Sequence, residues 1–167
     1  MKKLHLLKTI VDFIWIMSLF CYPLILVFAV MVLIDKEPFD IPITMMGTHV
    51  DINNTWGKLA LALCLANFGL LLYAVYFFRK LLKSFSNREI FEGTTCHLLD
   101  KIGTLVMVSS FIYLLTDLIS NLKHGDISIQ FGYGPFLYLL ALGLFFKVLS
   151  EVFTMAKTMK EENELTI

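Results

Sequence analysis

Four long apolar stretches, residues 10–34, 57–78, 102–122 and 135–156, divide the chain, and polar residues gather in the segments between them. Each stretch supplies about the 20 apolar residues that a helix needs to cross a hydrocarbon core. A backbone in lipid must satisfy its own N–H and C=O groups, which helices do internally. The pattern therefore predicts an all-α membrane protein, a four-transmembrane-helix bundle forming one domain over residues 1–167. The first stretch follows Met1-Lys2-Lys3 as a secretory signal would. It is longer than the ~7–15 residues of a signal core and ends without a small-residue cleavage site, so it is read as an uncleaved first span.

The connecting segments differ in kind. Phe39–Thr44 and Val50–Asn53, between the first two spans, alternate apolar and polar residues, as does Asp126–Phe131 between the last two. Period two predicts short β-strand segments. As both connections lie on one side, a small extracytoplasmic sheet is expected, with Phe39, Ile41, Ile43, Ile127, Ile129 and Phe131 on its apolar face. Pro42 restricts the first piece to an edge. The middle connector, residues 79–101, carries Arg79, Lys80, Lys83, Arg88 and Lys101. Ser86-Asn-Arg-Glu89 has the form of a capping box and Glu92-Gly93 that of a helix stop, so one helical turn is expected there, with Thr94 or Thr95 capping the third span.

The basic residues orient the chain. With both termini cytoplasmic, eleven Lys and Arg lie inside and only Lys36, Lys58 and Lys123 outside. This positive-inside bias places the connector and the tail, residues 157–167, in the cytoplasm.

Composition narrows the class further. Hydrophobic residues make up 57% of the chain and charged residues 17%, with a mean hydropathy of +0.75, outside the range of ordinary soluble domains. A net charge of zero suggests no direct nucleic-acid contact. Cys21, Cys64 and Cys96 are odd in number and unrelated in spacing, so neither a disulfide framework nor a zinc site is indicated.

Polar residues inside the spans are the next candidates, because each is costly in lipid. Pro23 is expected to bend the first span as a packing kink. Asn67 lies near the bilayer centre and is expected to hydrogen-bond Ser109 or Ser110 of the third span, while Ala62, Ala66 and Gly69 form a strip for close helix approach. Asp117 lies near the outer end of the third span, within reach of Asn121. From Lys147 the fourth span becomes amphipathic. Lys147, Ser150, Glu151, Thr154 and Thr158 share one side, and Val148, Leu149, Val152, Phe153 and Ala156 the other. Lys147 leans toward the membrane centre and is expected to find a carboxylate, either Glu151 one turn on or Asp12 of the first span.

Two His-x-Asp triplets, His49-Val-Asp51 and His124-Gly-Asp126, both fall in the outer segments. If the sheet joins them, these four side chains are candidate ligands for Zn²⁺ or another divalent ion; singly they are ordinary loop sequences. His5 and His97 lie in cytoplasmic stretches, so a bis-histidine haem is not supported. No phosphate-binding loop, nucleophile elbow or HExxH occurs. Neither an enzymatic activity nor a cofactor is expected.

The ending Glu151-Val-Phe153 followed by Met159–Ile167, together with the basic residues before Phe91 and the opening of span three at Leu99–Gly103, resembles the bacterial YoaS-like membrane proteins, domain-of-unknown-function family 2975. The resemblance implies a four-helix protein of the bacterial cytoplasmic (inner) membrane with no assigned catalytic residues. It also implies a small cytoplasmic helix-turn-helix protein as partner. The shared positions would be Phe91, Gly103, Phe153, Glu161, Glu162, Asn163 and Thr166.

The expected function is that of a regulatory or sensory membrane protein. Its docking surface would combine Arg79, Lys80, Lys83 and Arg88 with Glu161, Glu162 and Glu164, opposite charges for which a partner could compete. The alternative is a small transporter or permease component using Asp117 or Lys147. Contact with the lipid bilayer is implied in either case, and homo-oligomerisation is left open.

Overall fold

The computed structural model describes residues 2–34, 43–45, 48–50, 55–87, 92–122 and 135–164. Four helices dominate them: α1 (Lys2–Ile34), α2 (Thr55–Ser86), α3 (Gly93–Leu122) and α4 (Pro135–Glu164). All four are long and apolar enough to cross a membrane. Two short strands, β1 (Ile43–Met45) and β2 (Thr48–Val50), pair antiparallel with Thr44 opposite His49. The strands thus pair with each other across residues 46–47. Residues 39–42, 51–53 and 126–131 of the expected sheet lie outside the described residues.

Each helix extends past its apolar run. The connector expected between residues 79 and 101 is largely helical, since α2 continues to Ser86 and α3 begins at Gly93. Ser86 is therefore the last residue of α2 rather than the cap of a new helix; the Asn87 N–H still donates to the Lys83 carbonyl at 3.1 Å. Glu92-Gly93 likewise starts a helix instead of stopping one. The Glu92 carbonyl accepts from the Thr95 N–H at 3.0 Å and the Cys96 N–H at 3.3 Å, which leaves Thr94 and Thr95 inside the first turn. Arg88 and Glu89 lie outside the described residues.

The helices are antiparallel in sequence order. Asp12 of α1 meets Arg79 of α2, and Ala29 and Val32 of α1 pack with Ala60, Leu61 and Leu65 of α2. Phe77 and Leu81 of α2 pack with Leu98, Leu99 and Ile102 of α3. Along α3 and α4, Phe111 meets Phe136, Gly103 meets Gly143 and Ser150 reaches the Cys96 carbonyl. Three reversals bring Lys2 and Glu164 to one end of the molecule, called basal here; β1 and β2 follow α1 at the apical end.

The bundle is not a symmetric square. α2, α3 and α4 form the packed core, and α1 lies against α2, with Leu6, Phe20, Leu24 and Val27 among its many exposed apolar side chains. Such a surface is expected of a helix that faces lipid on most sides. α4 is also displaced along its axis. Its second residue, Phe136, stands level with Phe111, so α3 continues past it for about 16 Å at 1.5 Å per residue. At the basal end Lys157 Nζ stands 3.3 Å from where a Gly93 Cβ would lie, and α4 runs on to Glu164.

The buried seam of α2 is Ala60, Asn67, Ala74 and Leu81, seven residues apart. Its counterpart on α3 includes Thr95, Leu99, Ile102, Val106, Ser109, Tyr113 and Thr116, spaced alternately by four and three, the repeat that keeps one helix face on its neighbour. Two apolar clusters result, an apical one around Ala60 and Leu61 and a basal one around Leu81 and Leu99. Asn67 and Ser109 lie between them.

Candidate functional site: the basal end of the helices

Two ion pairs brace the level at which the apolar runs of the first three helices end, while that of α4 continues to residue 156. The guanidinium Nε of Arg79 donates to Asp12 Oδ1, joining α1 to α2. Lys147 Nζ donates to Asp100 Oδ1 at 2.6 Å, joining α3 to α4. Neither partner of Lys147 expected from the sequence, Glu151 or Asp12, is the one found. Glu151 is exposed on the far side of its helix, and Asp12 is occupied by Arg79. Asp100 falls within the connector of the sequence pattern, whereas the early start of α3 places it one turn below Gly103, opposite Lys147. A charge at this depth is tolerated because its counter-charge comes from the adjacent helix.

Gly103 and Gly143 let α3 and α4 approach at that same level. A Cβ on Gly103 would lie 2.9 Å from the Gly143 carbonyl oxygen and 3.1 Å from the Lys147 nitrogen. Basal to it, the Ser150 hydroxyl donates to the Cys96 carbonyl at 2.8 Å, fully buried. The expected small-residue strip on α2 is only partly used. Ala62 and Ala66 are exposed, and Gly69 alone receives a neighbour, the Tyr22 hydroxyl, which donates to the Leu65 carbonyl at 3.5 Å.

The amphipathic division of α4 is rotated from that read in the sequence. Leu149 and Phe153 pack on the basal cluster, and Ser150 is buried with them. Val148 and Val152 point outward and are followed on the same stripe by Met155 and Met159, all more than half exposed. The spacing 148, 152, 155, 159 keeps them in one line. Glu151, Thr154 and Thr158 are exposed beside that line.

The docking residues expected on charge grounds separate into two groups. Lys80 and Lys83 are exposed, but Arg79 is engaged by Asp12, and Glu161 pairs with Lys157 on its own helix at 3.5 Å. Glu162 is exposed. Arg88 and the side chain of Glu164 lie outside the described residues.

The mid-depth contact expected between Asn67 and the serines does not form. Asn67 Oδ1 and Ser109 Oγ are buried without a hydrogen-bond partner, and the Ser110 hydroxyl donates within its own helix to the Met107 carbonyl at 2.7 Å. Asp117 is half-buried on α3; the side chain of Asn121 lies outside the described residues. Of the candidate metal ligands, Asp51, His124 and Asp126 lie outside the described residues, as does the side chain of His49. Among the described residues no group of three or more His, Cys, Asp or Glu converges.

A Trp15–Tyr76 contact with ring centroids 5.6 Å apart, and Lys101 Nζ 5.3 Å from the Phe77 ring centroid, complete this level. Trp15, Tyr73 and Tyr76 lie near the ends of two apolar runs, a placement that does not by itself bring them together. That adjacency follows from the Asp12–Arg79 pair, which sets α1 against this face of α2.

Four lipid-length helices, joined by the Asp12–Arg79 and Asp100–Lys147 pairs, mark a multi-pass membrane protein. Within that class the chain belongs to DUF2975, a family of proteins of unknown function, whose pattern matches residues 5–167. No curated protein and no solved structure matches it.

Proposed function

We propose that this is a regulatory or sensory membrane protein, without chemistry of its own, that docks a partner on the basal end of α4. The observation that carries the reading is the stripe Val148, Val152, Met155 and Met159. It is exposed, apolar, and basal to the Lys147–Asp100 pair, the level at which the apolar runs of α2 and α3 end. Exposed apolar residues inside the hydrocarbon only meet lipid, but the same residues beyond it cost free energy unless something covers them. Methionine-rich helix faces suit a partner helix because the side chain adapts its shape. The exposed acids Glu151 and Glu162 lie on the same helix as the stripe and add charge beside it.

The positive-inside bias supports a cytoplasmic basal end and a bacterial inner-membrane location. The partner we favour is a small cytoplasmic helix-turn-helix regulator, held at the membrane or released from it. Transport is the weaker reading. Asp117 lies about 25 Å along α3 from Asp100, the partner of Lys147, so either group would have to serve transport without the other. Co-purification of a helix-turn-helix protein with the full chain, abolished by removing residues 157–167 or by Met155→Glu/Met159→Glu, tests the proposal. Retention of the partner by both variants contradicts it.

A further inference from the structure

The face of α2 between its contacts with α1 and α3 stays exposed, a strip called the groove here. Tyr73 and Tyr76 stand in it 53% and 42% exposed, their rings parallel with centroids 6.3 Å apart. Phe77 forms the side toward α3, its ring edge-on to Tyr73 at 4.7 Å. Trp15 forms the side toward α1. An aromatic row thus runs from α1 across α2 and ends in a cation of α3, Lys101, over the Phe77 ring. Lys80 lies on the same face of α2 as Tyr73 and Tyr76 and is exposed.

The charges at this level are unequally used. Arg79 and Lys147 are neutralised by Asp12 and Asp100. Lys80 and Lys101 have no carboxylate partner among the described residues. They stand at the mouth of the groove, about 4.5 Å basal to Phe77 in the case of Lys80, while the tyrosines line its apolar part.

We infer that this groove binds one anionic phospholipid, its phosphate held between Lys80 and Lys101 and an acyl chain lying along Tyr73 and Tyr76. Charge complementarity selects the occupant. Aromatic rings at the membrane boundary accept any lipid, but two uncompensated ammonium groups at headgroup depth favour a net negative headgroup, each by about fivefold. The Phe77 ring holds the Lys101 ammonium in place, so the second cation does not depend on a free rotamer. The groove is separate from the α4 stripe and stands or falls independently of partner docking.

Trp15 adjoins the site, so brominated lipids report on it. The full chain carrying Trp56→Phe, which leaves Trp15 as the only tryptophan, is placed in phosphatidylcholine nanodiscs. Dibrominated phosphatidylglycerol or dibrominated phosphatidylcholine is then titrated in. The expected result is quenching by the phosphatidylglycerol at a several-fold lower mole fraction, and loss of about fivefold in this preference for each of Lys80→Gln and Lys101→Gln. Lys80→Arg/Lys101→Arg should retain the preference, and Lys2→Gln/Lys3→Gln should leave it unchanged. Equal quenching by the two lipids in the otherwise unaltered chain overturns the inference. So does a preference that survives Lys80→Gln/Lys101→Gln, or one that inorganic phosphate removes when chloride of equal ionic strength does not.

Discussion

Gly143 of α4 presses its carbonyl oxygen to within 2.9 Å of the position a Cβ on Gly103 of α3 would occupy. Neither residue can gain a side chain without parting the two helices, because the obstructing atoms include backbone on both sides. Gly103→Ala and Gly143→Ala should each destabilise the protein by about 1–3 kcal/mol, the range for overpacking a well-filled interface. Steric-trap or denaturant unfolding in detergent measures this. The cost should fall on the α3–α4 contact and lengthen the Lys147–Asp100 pair.

Gly69 provides the contrast. A Cβ there would meet the end of the Tyr22 side chain, its hydroxyl at 2.6 Å and its ring Cζ at 3.2 Å, rather than backbone. Gly69→Ala should cost less than Gly103→Ala, and Tyr22→Phe should recover most of it, since it removes the obstructing oxygen and a long hydrogen bond of 3.5 Å. Unfolding of the two single variants and the double variant under one condition checks the ordering.

The two ion pairs predict charge-specific effects. Lys147→Leu leaves the Asp100 carboxylate without its partner and should lower membrane-integrated yield. Asp100→Asn in the same chain should recover part of the loss, because it removes the orphaned charge. Both pairs are partly open, with side chains 35% and 47% exposed in Lys147–Asp100 and 41% and 28% in Arg79–Asp12. A double-mutant cycle of Arg79→Gln and Asp12→Asn should therefore yield a coupling of only about 1 kcal/mol or less.

Ser109 should be dispensable. Its hydroxyl is buried and makes no hydrogen bond, so Ser109→Ala removes an unsatisfied group and should leave stability unchanged or raise it by about 1 kcal/mol. A clear loss on unfolding would show that the hydroxyl has a partner in the membrane.

The four spans were legible because lipid demands an uninterrupted apolar run, and such runs stand out without knowledge of any neighbour. Partner choice was not legible, because it depends on helix rotation and axial offset. Asp100 looked like a loop residue until α3 was seen to start at Gly93, and only the displacement of α4 brings Lys147 level with it. Ser150 misled for a related reason. Its polarity placed it on the water face of α4, whereas its hydroxyl is satisfied by the Cys96 carbonyl inside the core. Once Ser150 turns inward, Val148 and Val152 must turn outward, and the exposed stripe appears.

That stripe is the centre of the functional account, and photo-crosslinking in living cells tests it most directly. A benzophenone amino acid at Val152, Met155 or Met159 should yield one protein adduct of a single mass. The same probe at Val27, on the exposed face of α1, should yield none of that mass. Absence of the adduct at all three stripe positions, or its equal appearance at Val27, would contradict docking on the basal end of α4.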